Sequence, residues 1–157
     1  MNKYKNINSG FGSRFIDLVN GLLDYFKINN RDTWEIYNKY CYCLLEQVYN
    51  ESDRHYHNME HIIDMLNYLD YDFVYYLTKR QYLLLVTAIM FHDAIYNPGD
   101  DNNAVYSAAK ADIFLSYLGI SKDFIDEVFD LIVIVDKDMF RSSYSDDVYN
   151  MFHDLDF

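Results

Sequence analysis

Apolar residues recur along most of this chain at intervals of three and four, the period of an amphipathic helix. In "SRFIDLVNGLLDYFKI", Phe15, Leu18, Leu22 and Phe26 mark one apolar face. "RDTWEIYNKYCYCLLEQVYN" predicts a second helix, with a stripe of Trp34, Tyr37, Tyr40, Cys41, Leu44 and Val48. Asp32 is placed to cap it, with Glu35 three residues on as the partner of a capping box. A third helix is predicted over about Asn58 to Leu69, with Ile62, Met65, Leu66 and Leu69 inward. "TKRQYLLLVTAIMFHDAIY" is apolar nearly all round, the pattern of a helix buried at the centre of a domain. It is expected to stop at "NPGDD", because proline cannot continue a helix and glycine suits a tight turn.

"NNAVYSAAKADIFLSYLG" predicts a fifth helix ending at Gly119, and Ser121 or Asp123 opens a sixth through "DFIDEVFDLIVIV". Residues 136–146 read as a polar loop, and "DDVYNMFHDLDF" as a short terminal helix. The first dozen residues, polar and bearing Gly and Ser, read as a loose lead-in. The expectation is one all-α domain of six or seven helices over residues 1–157, without repeats or low-complexity tracts. One proline and five glycines in 157 residues are too few turn formers for an all-β domain of this size.

The net charge of −12 repels nucleic-acid backbones and acidic membranes, so neither duplex nucleic acid nor a membrane is an expected partner. A small phosphorylated substrate stays possible, since a bound cation inverts the local field. The N-terminus lacks the apolar segment of a signal peptide, and the longest apolar run, Tyr82 to Phe91, is too short to span a bilayer. Cys41 and Cys43 are two residues apart, point to different sides of a helix and read as free thiols in a reducing compartment. A soluble, cytoplasmic protein is expected. Seventeen tyrosines can feed a homodimer interface, or equally the core and its rim.

Two features stand out chemically. In "RHYHNMEHII", His57 and His61 lie four residues apart, one turn of helix. His92 and Asp93 interrupt the most apolar helix, where an unpartnered carboxylate would cost several kcal/mol. Either a hydrogen-bonded core pair or a metal ion can compensate. His61, His92 and Asp93 make three candidate ligands, and "FHDLDF" adds an acid pair, Asp154 and Asp156. Mixed His and Asp donors suit Mn, Fe, Co, Ni or Zn, and Mg if oxygen dominates. Arg54, three residues before His57, can clamp a substrate phosphate or pair with Asp53 or Glu51. Asp64 can orient the ring of His61 or stand exposed, and His55 faces away.

The succession "RHYHNMEHI", "AIMFHDAIYNP", "NNAVYSA" and "DLDF" resembles the predicted metal-dependent HD phosphohydrolase family, within the HD superfamily. Its segments read R-x-Y-H-x-x-x-H-I, FHD-A-x-Y-(D/N)-P, N-E-E-x-S-A and D-x-D-L, and the resemblance runs from about Trp34 to Phe157. It implies an HD-type helical bundle with His61, His92, Asp93 and a final Asp as metal ligands, Asp156 favoured over Asp154. It implies hydrolysis of a small phosphorylated compound, with a nucleotide as one candidate, by a metal-activated water that Asp93 helps to steer. His-Asn-x-x-His at positions 57–61 also looks like the opening motif of cyclic nucleotide phosphodiesterases, which makes His57 the general acid.

The chain departs from that pattern in three places. Ala104 and Val105 stand where the family has glutamates. The family's Thr-x-x-His segment after the sixth helix is matched here by "VDKDMF", which holds no His and offers only Asp136 or Asp138 as substitutes. The family's further C-terminal helices are not in the sequence, so that part of the domain is expected to be missing. These departures define an alternative, a weak or inactive HD domain that binds a nucleotide or a partner protein.

Overall fold

A computed structural model describes residues 10–136 and 147–156, and these form seven helices. Helix α1 is Gly10–Tyr25, and its face of Phe11, Phe15, Leu18, Val19 and Leu22 is buried. It starts inside the stretch expected to be a loose lead-in. Residues 33–49 form one rod, α2, whose middle is π-helical over Tyr37–Leu45. Asp32 caps it by accepting from the backbone N–H groups of Trp34 and Glu35 at 3.0 and 3.3 Å. The Glu35 carboxylate accepts instead from the Tyr117 hydroxyl at 3.0 Å.

The π register shifts the expected stripe. A turn bonded i to i+5 places one extra residue in the helix, so later positions rotate. Leu45 and Tyr49 are buried where Leu44 and Val48 were expected, and the latter two are only partly covered. This rotation brings the Tyr49 hydroxyl to the Met90 carbonyl, 2.8 Å away.

Helix α3 is Met59–Tyr68, capped by Asn58, and the chain continues through a π turn at Leu69–Phe73 and a 3-10 turn at Val74–Tyr76. Helix α4 is Lys79–Phe91, and every residue from Leu83 to Phe91 is buried. It touches α1 and α3 on one side and, on the other, α5 (Asn103–Leu118), α6 (Lys122–Asp136) and α7 (Asp147–Asp156). The Phe91 ring stacks on Phe114 of α5 at 5.0 Å. Helix α5 closes at Gly119, whose φ of 87° is the left-handed geometry that lets the chain turn into α6.

One expectation needs correction. His92 and Asp93 do not interrupt the apolar helix. It ends at Phe91, His92 is its C-cap, and Asp93 lies in the turn beyond. The polar pair therefore stands at the mouth of the core. Of the loop expected at residues 136–146, Asp136 instead ends α6, and residues 137–146, Asp138 among them, lie outside those described. Cys41 is buried and Cys43 exposed, both as free thiols. No helix among the described residues is long and apolar enough to cross a membrane.

The start of α4 is fixed by a complete capping box. Thr78 accepts from the Gln81 N–H at 3.1 Å, and the Gln81 side chain accepts from the Thr78 N–H at 2.9 Å. Thr78→Ala should cost about 1 kcal/mol, a melting-temperature loss of about 2–4 °C in circular dichroism.

Candidate metal centre

Three separate stretches meet at the C-terminal end of α4. The first is the irregular segment 54–58 with the opening turn of α3. The second is the turn after Phe91. The third is the last turn of α7.

His92 is set by the helix it ends. The last carbonyls of a helix have no partner within it. Ile89 supplies one of them, and it accepts from His92 Nδ1 at 2.8 Å. That bond places the Nδ1 proton and turns Nε2 inward. The ring meets Phe152 of α7 edge-on at 5.4 Å and is nine-tenths buried. His92 Nε2 lies 3.2 Å from Asp93 Oδ2 and 3.3 Å from Asp156 Oδ1. Both are ion-pair distances, but neither oxygen is directed for a hydrogen bond, so Nε2 has no hydrogen-bond partner.

His61 rises from the first turn of α3, and its Nε2 is 3.1 Å from the same Asp156 oxygen. One donor atom each from His61, His92 and Asp156 lie within 4.8 Å of one another. Asp93 stands beside this trio. Its Oδ2 faces His92 and also accepts from His57 Nδ1 at 2.9 Å. The acid pair near the C-terminus separates cleanly. Asp156 enters the cluster, whereas the Asp154 carboxylate is 72 % exposed and lies 3.8 Å from His153.

His57 reaches the cluster differently from the one-turn helical relation expected. It precedes the Asn58 cap, in irregular chain, and its ring centroid is 6.4 Å from that of His61. Asp93 holds it on one side, and the Tyr96 ring lies against it at 4.6 Å. The hydrogen bond to Asp93 raises its pKa, against a smaller opposing effect of burial.

Arg54 is 6 % exposed, and its guanidinium is turned into the protein. Nη1 donates to the Asp93 carbonyl at 2.6 Å and to the His57 carbonyl at 3.3 Å, and Nε donates to Glu51 at 3.4 Å. The cation also lies over the rings of Tyr49 and Tyr96, at 5.5 and 5.8 Å. This differs from the expected phosphate clamp. The side chain ties two site segments together through their backbones.

Sequence reasoning singled out neither Tyr49 nor Tyr96. The second lies in "FHDAIYNP", four residues from His92, so the motif itself held the signal. Asp64 and His55 are exposed. Ala104 is buried and Val105 half-buried, and neither side chain carries a carboxylate.

Electrostatically, burial opposes the charge on His92, but Asp93 and Asp156 outweigh it and hold its pKa well above the ordinary value. Burial also opposes ionisation of Asp93, yet His92 and His57 hold it far below the usual carboxylate range. Asp156 is lowered too, against burial, by its hydrogen bond to His61 and by the nearby His92 ring. The donor set fits a divalent cation. A buried imidazole nitrogen with its proton on the far side, a second imidazole and an ionised carboxylate converge on one point.

Comparison of the chain with protein-family profiles, with curated proteins and with solved structures found no match.

The two carboxylates have lowered pKa values, so their stabilising contribution is present above about pH 4 and is lost as pH falls through the folded values. The raised pKa of His92 acts oppositely. Its contribution is full below about pH 6.5 and fades as pH rises through the raised value. Chelator-treated protein should therefore melt at falling temperature below about pH 4. Asp93→Asn should flatten that slope, and an unchanged slope would contradict the assignment. Separately, Arg54→Met should lower stability by about 2–4 kcal/mol in urea unfolding, because buried carbonyls lose a charged donor.

Proposed function

We propose that this chain is a metal-dependent phosphohydrolase of the HD class, a phosphomonoesterase or phosphodiesterase acting on a small phosphorylated compound. The observation that carries the reading is the convergence of buried His92 Nε2, His61 and Asp156, with His92 Nε2 3.2 and 3.3 Å from Asp93 and Asp156 oxygens but without hydrogen-bond geometry to either. Two carboxylates gathered in a part-buried site concentrate negative charge, and a cation at that point would offset the cost of burying it. His61, His92 and Asp156 would hold it, with Asp93 alongside.

A divalent ion supplies Lewis-acid polarisation of a phosphoryl oxygen and makes water more acidic. The residues of the chain do the rest. Asp93 fixes the Nδ1–H tautomer of His57 and favours its protonated form. The ring of His57 is one-third exposed, so it reaches solvent and a bound ester. It is the general acid in this reading and delivers a proton to the departing oxygen. Tyr96 keeps the ring in place from its other face. Arg54 acts as a positioning residue, since its bonds to the Asp93 and His57 carbonyls fix the separation of acid and cluster.

A second reading rests on Ala104 and Val105, which carry no carboxylate where the resembling family has two. In that reading the domain binds a nucleotide or protein without turning it over. Turnover of phosphate esters that requires added Mn or Fe rejects it, and saturable binding without turnover supports it.

Elemental analysis of the purified protein should find a divalent metal. His61→Ala and Asp93→Ala should both abolish hydrolysis of phosphate esters. His57→Ala should lower kcat about a hundred- to ten-thousandfold. Full activity in metal-stripped protein would overturn the proposal.

A further inference from the structure

Beside the cluster lies an open cavity of about 340 Å³. His61 and Asp156 are among its lining residues, so it adjoins the candidate metal centre. Tyr56 lines it as well. Its ring lies 5.1 Å from that of His61, and it is nevertheless 64 % exposed. Tyr68, 61 % exposed, lines it too, on the same face of α3 as Glu60 and Asp64, which precede it at four-residue intervals. Asp64 and Tyr68 also border a second depression that continues outward to Tyr71 and Asp72.

The lining is chemically one-sided. It offers carboxylates and tyrosine faces, and among the described residues it includes no lysine or arginine. Its imidazoles are those of His55 and His61. The carboxylates of Glu60 and Asp64 have no salt bridge among the described residues. A second phosphate or a carboxylate on the substrate would meet only like charge there. An ammonium group would meet opposite charge and two phenol rings, the side-chain types that recognise alkylammonium ions.

Resting on the phosphohydrolase reading, we propose that the substrate is a phosphomonoester of an amino alcohol, and that Tyr56, Tyr68, Glu60 and Asp64 receive its ammonium end. Hydrolysis consumes one water. A new P–O bond forms from the water oxygen, the ester P–O bond breaks, and the departing oxygen takes a proton. The products are inorganic phosphate and the amino alcohol.

The test compares three esters of similar size on the full chain with metal bound: phosphocholine, glycerol phosphate and phosphoglycerate. The expected order of kcat/KM is cationic, then neutral, then anionic, with phosphocholine ahead by about tenfold. The Glu60→Gln, Asp64→Asn double variant should remove that preference, bringing phosphocholine and glycerol phosphate to equal kcat/KM. Choline alone, titrated by NMR, should bind saturably, and Tyr56→Leu should weaken it about five- to tenfold. Equal or reversed preference among the esters, or no choline binding, overturns the ammonium proposal and leaves the phosphohydrolase reading standing. No turnover of any ester by metal-loaded protein overturns the phosphohydrolase reading, and the choline titration still decides what the cavity holds.

Discussion

The bond from His92 Nδ1 to the Ile89 carbonyl is the constraint on which the site depends. It joins a property of every helix, the unpaired carbonyls of its last turn, to the orientation of one ring. With that proton placed, Nε2 must face the interior formed by α3 and α7. Two carboxylates gather there, and both remain ionised despite burial. Unlike a core ion pair made for stability, this arrangement leaves the nitrogen without a directed partner.

Around that ring, support is unusually dependent on the backbone. Arg54 reaches carbonyls, and Tyr49 donates to the Met90 carbonyl, two residues before His92. Side chains thus hold the two irregular segments by their main chains and leave the imidazoles and carboxylates to face one another. In a chain of net charge −12, a buried arginine beside Asp93 also moderates the acidity that the site concentrates. The π register of α2 belongs to the same scaffold, because it turns Tyr49 toward α4.

Much of the fold was legible because helix periodicity is local. The centre of the bundle, the Asp32 and Asn58 ends and the Gly119 turn could all be read from neighbouring residues. What was not legible depended on contacts across the chain. The π insertion moved the buried stripe of α2 by one position, and no sequence pattern announced it. The end of α4 came at Phe91, before Pro98, because the polar pair His92–Asp93 is better placed at a helix end than inside a core. The residue types at the cluster were readable from spacing and charge. The partner of each was not. Asp93 turning to His57, and Arg54 turning inward to the Asp93 carbonyl, are outcomes of packing between residues 36 and 39 positions apart.

The cluster joins His61 to Asp156 across 95 positions of sequence. During synthesis, α3 and α4 can emerge and pack long before α7 exists, but the group of donors cannot. Two imidazoles can be in place without the last carboxylate, and the third donor arrives only when α7 has docked through Val148 and Phe152, both buried. Assembly of the donor group is therefore tied to the docking of α7. The same long closure makes the arrangement of these side chains a reporter of whether α7 is in place.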